Sequence, residues 1–480
     1  MAGPQVTRVL ALIAFAIILQ ASAQKFNVPE VKIEVFQPKG FRASIPDSSG
    51  MTFFAFQGNV NRQISSTLVG SLKGEITQAT NGRWVYDNPD IQLKIGDVIN
   101  YYVFVSVNRE GYVKDNLSYT VTDFVDDRSG VTQGPIPECK PTLTRVRGGR
   151  ACAGQTIFED TFDSLRSDLW QIEQYIPINH PEYPFVSYQR LSPNGPVSVS
   201  GGYLHIMPML QQTLPGFNND SIYLGSLDLF SGCTASAEAC FRQATGADIL
   251  PPVASGRVTS SAFAFTYGTV HVRAKLPQGD WIYPEILLEP FLKKYGSFSY
   301  ASGVIKIASA RGNADLRAGP DEYGNKVLYG GPVMDFQCRW QLLTNKMLTD
   351  GKKWGDDFHE YSVTWTPDQI SLSVDGEQWA RVDASRALRE RFPQRCALPR
   401  SLLAKGTNLA PFDDHFYLTL GVAVGGISEF RDDIYSGDKV KPWRDYGRKA
   451  MLSFWENIDS WRPTWSQPEL IVDYVKVVAL

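Results

Sequence analysis

Histidine is scarce: the chain has five in 480 residues. None stands in a close pair with metal-ligand spacing, so no catalytic metal and no cofactor is expected. Blocks of one charge sign are also missing. Lys and Arg total 47 against 50 Asp and Glu, a formal net charge of −3, which argues against a nucleic-acid partner or anchoring to an acidic membrane. After the N-terminal segment, no apolar run approaches the roughly 20 residues of a spanning helix, and between residues 31 and 124 no convincing amphipathic helix breaks the strand pattern. What the chain does have is apolar and aromatic content, 43% and 12%, ample for packed cores, and a length that suggests two or three domains.

Arg8, the apolar run 9–19 and Ala21-Ser-Ala23 form the layout of a secretory signal peptide, so residues 1–23 are expected to be removed and the mature chain to be extracellular. In that compartment the six cysteines read as disulfides, with nearest-neighbour pairing (Cys139 with Cys152, Cys233 with Cys240, Cys338 with Cys396) chosen among 15 connectivities. Asn116 and Asn219 open Asn-x-Ser triplets and are candidate glycosylation sites.

Between residues 31 and 124, short runs of alternating apolar residues recur between Gly-, Pro- and Asn-containing turns, the pattern of a small antiparallel sandwich. Residues 24–126 are therefore assigned to a first β-module. Residues 127–154, rich in Gly, Pro, Arg and Thr, read as a linker whose Arg145, Arg147 and Arg150 are solvated or protease-sensitive. From 155 to 480 strand-like segments dominate and predict a large two-sheet sandwich, with only residues 386–391 looking helical.

The stretch 302–313 reads Ser-Gly-Val-Ile-Lys-Ile-Ala-Ser-Ala-Arg-Gly-Asn. It resembles the active-site strand of laminarinase-like glycoside hydrolases of family 16, with Val304, Lys306 and Ser309 at the three acidic positions. Segments 158–162, 267–277, 281–284, 374–376, 412–418 and 422–426 also match that family in order, which implies a jelly-roll fold. A retaining glycosidase needs two carboxyls about 5–5.5 Å apart. Val304 has no oxygen to form an ester, Ser309 is too weak an acid to protonate a leaving group, and Lys306 opposes a developing positive charge. Positions 304 and 306 share a strand face, and 309 joins them only if a bulge intervenes. Glu285 and Glu289, roughly 13 Å apart on an extended strand, are too distant to substitute and read as rim or ion-pair residues. The resemblance further places Trp281, Tyr283, Arg311 and Asn313 along the sugar groove.

The first module resembles the glucan-binding module of arthropod β-1,3-glucan recognition proteins, also called Gram-negative bacteria-binding proteins. It carries Glu75-Ile-Thr77, Asn100-Tyr-Tyr-Val103 and Gly111-Tyr-Val-Lys-Asp-Asn116 where that family has its acid, its Trp and its Arg loop. This implies Glu75, Tyr102, Lys114 and Asp115 as glucan contacts, with Tyr102 replacing the Trp and Val113 the Arg. Trp84 is assigned to the core and Asp47 to its turn. The implied function is a secreted, non-catalytic pattern-recognition protein of the hemolymph. It would bind β-1,3-glucan of the curdlan or laminarin kind, or lipopolysaccharide or lipoteichoic acid, and act upstream of a modular serine protease and prophenoloxidase activation. An active β-1,3-glucanase and a surface-binding protein without glucan affinity are the alternatives; sugar release from laminarin and pull-down on curdlan separate them.

Overall fold

The structure is a computed structural model that describes residues 26–480 apart from 37–38, 67–69, 81, 109, 125–138, 148–150, 192 and 261–262. The expected signal segment and Arg150 therefore lie outside the described residues. The chain divides into two compact units, and the described residues from Cys139 onward belong to the second.

The first unit is an immunoglobulin-like sandwich of strands β1 (Lys32–Val35), β2 (Phe41–Pro46), β3 (Met51–Val60), β4 (Leu72–Ile76), β5 (Arg83–Asn88), β6 (Val98–Val107) and β7 (Glu110–Thr120). One sheet has the order β1-β2-β5 and the other β4-β3-β6-β7, all antiparallel. Strand β6 shows why: Ile99, Tyr101, Val103, Val105 and Val107 join the apolar core, while Tyr102, Phe104 and Ser106 between them are only partly buried. Each fully buried large apolar side chain, such as Phe54 or Phe56, stabilises by about 1.5–3 kcal/mol relative to exposure. Trp84 is in this core and donates its indole N–H to Asp47 at 2.7 Å, joining β5 to the turn after β2.

The second unit is the jelly roll. Its nine-stranded sheet runs Gln171–Ile172, Arg257–Thr259, Phe416–Val424, Ile282–Pro290, Val304–Ser309, Val327–Val333, Thr344–Met347, with Phe265–Thr266 and Arg145–Val146 at one side. The eight-stranded sheet centres on Leu470–Val478, Gly268–Lys275 and His359–Trp365. A single apolar core lies between them. The three disulfides join nearest neighbours, and Cys338–Cys396 spans 58 residues.

Two expectations need correcting. Part of the expected linker is structural: Arg145–Val146 pairs with Phe265–Thr266, Thr142 donates to the Leu480 carbonyl at 2.7 Å, and Arg147 lies over the Phe291 ring at 4.4 Å. Backbone pairing there needs no apolar periodicity, so composition alone reads as linker. The helices are also more than one: Leu388–Arg391 is a short 3-10 turn, while Asn219–Leu224, Arg400–Leu403, Ala450–Glu456 and Ile458–Trp461 are α-helical. Ala450–Glu456 buries Ala450, Met451, Leu452, Phe454 and Trp455, nearly all round, which erases the amphipathic signal.

Candidate functional site

In the first unit, the register of the four-stranded sheet settles which side chains share its outward face. Glu75 on β4 faces Ala55 on β3, which faces Phe104 on β6, which faces Val113 on β7. The adjacent row is Lys73, Gln57 and Tyr102, and a bulge in β7 sets Asp115 and Asn116 opposite Tyr102, with Asn116 at φ 53°. Glu75, Tyr102 and Asp115 therefore lie on one face, beside the candidate glycan acceptor Asn116. Lys114 does not join them. It pairs with the buried Val103 and so shares the core side at the sheet edge.

Two aromatics that sequence reading passed over belong to the outward face. Phe53 and Phe104 stand edge-to-face at 5.9 Å, and a Cβ at Gly111 would come within 2.8 Å of the Phe104 ring, so that glycine lets the ring lie against β7. Alternation in Val98–Val107 was the signal that could have found Phe104. The face thus combines half-buried rings with exposed carboxylates, which suits a ligand having apolar faces and hydroxyl edges.

In the second unit, the strand Val304–Ser309 has the bulge that its spacing required: Lys306 faces Gly331 while Ser309 faces Tyr329, so three steps on one strand match two on the other. Val304 and Ser309 are buried, and the Ser309 hydroxyl points to the Pro284 carbonyl at 3.4 Å. Lys306 Nζ lies 3.3 Å from Glu182 and 3.5 Å from Glu429, and Arg311 pairs with Glu429 at 2.9 Å. Two cations and two anions close on one another at the centre of the groove.

Burial by itself would raise the Glu182 carboxyl. The Lys306 ammonium, His180 and a hydrogen bond from Tyr300 outweigh it, and the group is held below its ordinary value. Burial would likewise lower the Lys306 ammonium, but Glu182 and Glu429 push it up. Both groups therefore stay charged at neutral pH. Glu182 is thus ionised and tied to a lysine, a poor proton donor and a quenched nucleophile. Glu182 and Glu429 sit about 120 residues either side of Lys306 in the chain, with no sequence motif linking them to it. Glu285 and Glu289 both bind the buried Arg257, at 3.3 and 2.6 Å, and Tyr188 donates to Glu285. They are ion-pair partners, and Glu285 is an interior residue instead of a rim one.

The expected groove residues are not on an open wall. Trp281 is buried against Phe430 and Trp443, and its backbone N–H donates to the Asn313 side chain. Asn313 in turn donates to Ser436. Tyr283 borders a residual cavity of ≈ 10 Å³ together with Glu182, Tyr300, Val304 and Lys306. That is about the space of one water. Arg311 is a buried floor residue, capped by Tyr329 at 4.5 Å. Larger spaces flank this constriction: ≈ 580 Å³ around Glu173, Arg257, Glu289 and Tyr417, and ≈ 910 Å³ around Tyr323, Tyr329 and Trp340. The Asn219 triplet sits at an exposed helix start, where Ser221 completes a capping box with Asn218. Among the described residues, the one metal-like cluster is Asp335, Cys338 and Cys396, and its sulfurs are already joined in a disulfide.

An immunoglobulin-like module followed by a jelly roll whose Val304–Ser309 strand is closed by ion pairs defines the class of a modular protein related to carbohydrate-binding and glycosyl-hydrolase domains. Residues 27–142 match the family described as Carbohydrate binding domain (family 32), and residues 341–405 match Glycosyl hydrolases family 16. Over its length the chain is 60% identical to the Beta-1,3-glucan-binding protein of Hyphantria cunea, covering 96% of this chain and 98% of that one. It is 36% identical to Beta-1,3-glucan-binding protein 1 of Manduca sexta (96% and 97% covered) and 34% to Gram-negative bacteria-binding protein 1 of Drosophila melanogaster (95% and 96%). The chain belongs to this family of β-1,3-glucan-binding and Gram-negative bacteria-binding proteins. Among solved structures, the catalytic domain of a laminarinase from Thermotoga petrophila aligns with 68% of this chain and 97% of its own at 18% identity and a TM-score of 0.42.

Proposed function

We propose that this protein is a non-catalytic recognition protein for β-1,3-glucan, binding polysaccharide on the outward face of β4-β3-β6-β7 through Glu75, Tyr102 and Asp115 with Phe53 and Phe104. The observation that supports a non-catalytic reading is Lys306, clamped between Glu182 and Glu429 on the strand that resembles the acidic strand of a glycosidase. Binding can use a whole surface, whereas turnover depends on a few positioned groups. The relatives' names, which describe glucan and Gram-negative bacteria binding, support microbial polysaccharide as the ligand class. On this reading the chain is secreted into hemolymph and acts in innate immunity. Its glucan-bound form recruits a modular serine protease upstream of prophenoloxidase, with repeated ligand sites adding avidity.

The test is paired. Purified protein is expected to sediment with curdlan and to release no reducing sugar from laminarin. Sedimentation without Glu75 and Tyr102 unchanged from the parent would remove the site, and sugar release would remove the non-catalytic reading.

A further inference from the structure

The triplet Asn116-Leu117-Ser118 lies in the outward face of the first unit itself. Lys114 pairs with the core residue Val103 and Leu117 with the core residue Tyr101, so between them strand β7 sets two residues against the single Tyr102. Asp115 and Asn116 therefore both project on the outward side, and both are exposed. Asparagine suits the bulge, because it tolerates the left-handed φ of 53° better than most residues. That accounts for Asn116 but not for Ser118, whose side chain is also exposed. Among the described residues, neither the Asn116 amide nor the Ser118 hydroxyl makes a side-chain hydrogen bond. The amide nitrogen can thus be glycosylated with no native hydrogen bond lost.

We propose that Asn116 carries an N-linked glycan that covers the Tyr102 side of the outward face and weakens glucan binding there, so that occupancy of one sequon sets the affinity of the first unit. The proposal rests on the glucan reading above and on passage through the secretory route. There the Asn116 amide nitrogen attacks C1 of the first sugar of a lipid-diphosphate oligosaccharide. The N–C1 bond forms, the C1–O bond breaks, the lipid diphosphate leaves with the electron pair, and the amide proton passes to a base of the transferring enzyme. Transfer to the extended nascent chain precedes the pairing of β6 with β7, so a position within a strand is no obstacle. Cross-strand neighbours on one face stand about 4.5–5.5 Å apart at Cβ. The first sugar therefore begins beside the Tyr102 ring, whose face suits the apolar side of a pyranose. Being tethered, it competes with free glucan at an effective concentration on the order of millimolar, and the sugars beyond it add bulk.

The test uses the full chain secreted from one insect-cell line, with occupancy read by glycopeptide mass spectrometry and binding by curdlan sedimentation. Asn116 is expected to be modified in the parent and bare in Ser118→Ala, which keeps Asn116 and the bulge and should give the parent's circular dichroism. The curdlan concentration for half-sedimentation should fall at least fivefold in Ser118→Ala and in Asn116→Gln. Ser118→Thr, which keeps the sequon, should match the parent. The other candidate acceptor, Asn219, starts a helix of the second unit, and Asn219→Gln should leave sedimentation unchanged. A bare Asn116 in the parent, a parent that sediments as well as Ser118→Ala, or an equal gain from Asn219→Gln overturns the proposal while leaving glucan binding intact. Ser118→Ala protein that does not sediment at all removes the glucan reading, and the proposal with it.

Discussion

Removing the Lys306 ammonium is the sharpest test of the closed centre. In Lys306→Met, Glu429 retains Arg311, but Glu182 loses the largest attraction that offsets its burial. Breaking a buried pair by deleting one partner costs about 3–5 kcal/mol. At the roughly 2 °C per kcal/mol suited to a large domain, the melting temperature at pH 7 should fall by about 6–10 °C. The sign of the pH dependence follows from Glu182. Its folded-state value lies below the ordinary 4.5, so in the parent its contribution is complete above that pH and is lost as pH falls further. Without Lys306, burial dominates and raises the carboxyl, so acid relieves the strain in the variant by protonating it. The gap between parent and variant should therefore narrow from pH 7 to pH 4, and adding Glu182→Gln should recover part of the loss. Scanning calorimetry at both pH values, with the double variant, measures this. A pH-independent gap, or a double variant no better than the single one, refutes the network.

Other consequences follow from the same geometry. Glu75→Ala with Tyr102→Ala should lower the fraction of protein sedimented by curdlan severalfold, while Lys114→Ala, on the core side of the sheet edge, should leave it near the parent's value. Restoring acids with Val304→Glu and Ser309→Glu should produce no reducing sugar from laminarin, because the central cavity of ≈ 10 Å³ has no room for a sugar ring; measurable turnover would show that the centre opens. Replacing Cys338 and Cys396 by serine releases a 58-residue loop, worth about 4 kcal/mol by chain entropy. Thermal unfolding of that variant should report the loss.

Local pattern was enough for several conclusions. Period-two alternation in segments such as Val98–Val107 determined an all-β chain, because a strand's two faces meet different solvents. The residue types at 304, 306 and 309 determined that these positions carry no carboxyl, since that depends on side-chain chemistry alone. The bulge was legible because three positions of odd and even spacing had to share a face. Tertiary structure decided the rest. Only packing brings Glu182 and Glu429 onto Lys306, puts Trp281 and Asn313 inside the core, places Lys114 and Tyr102 on opposite sides of one sheet, and opens a basin at Trp340. Each of those depends on registers and contacts between strands distant in the chain, and sequence proximity carries no information about such distances.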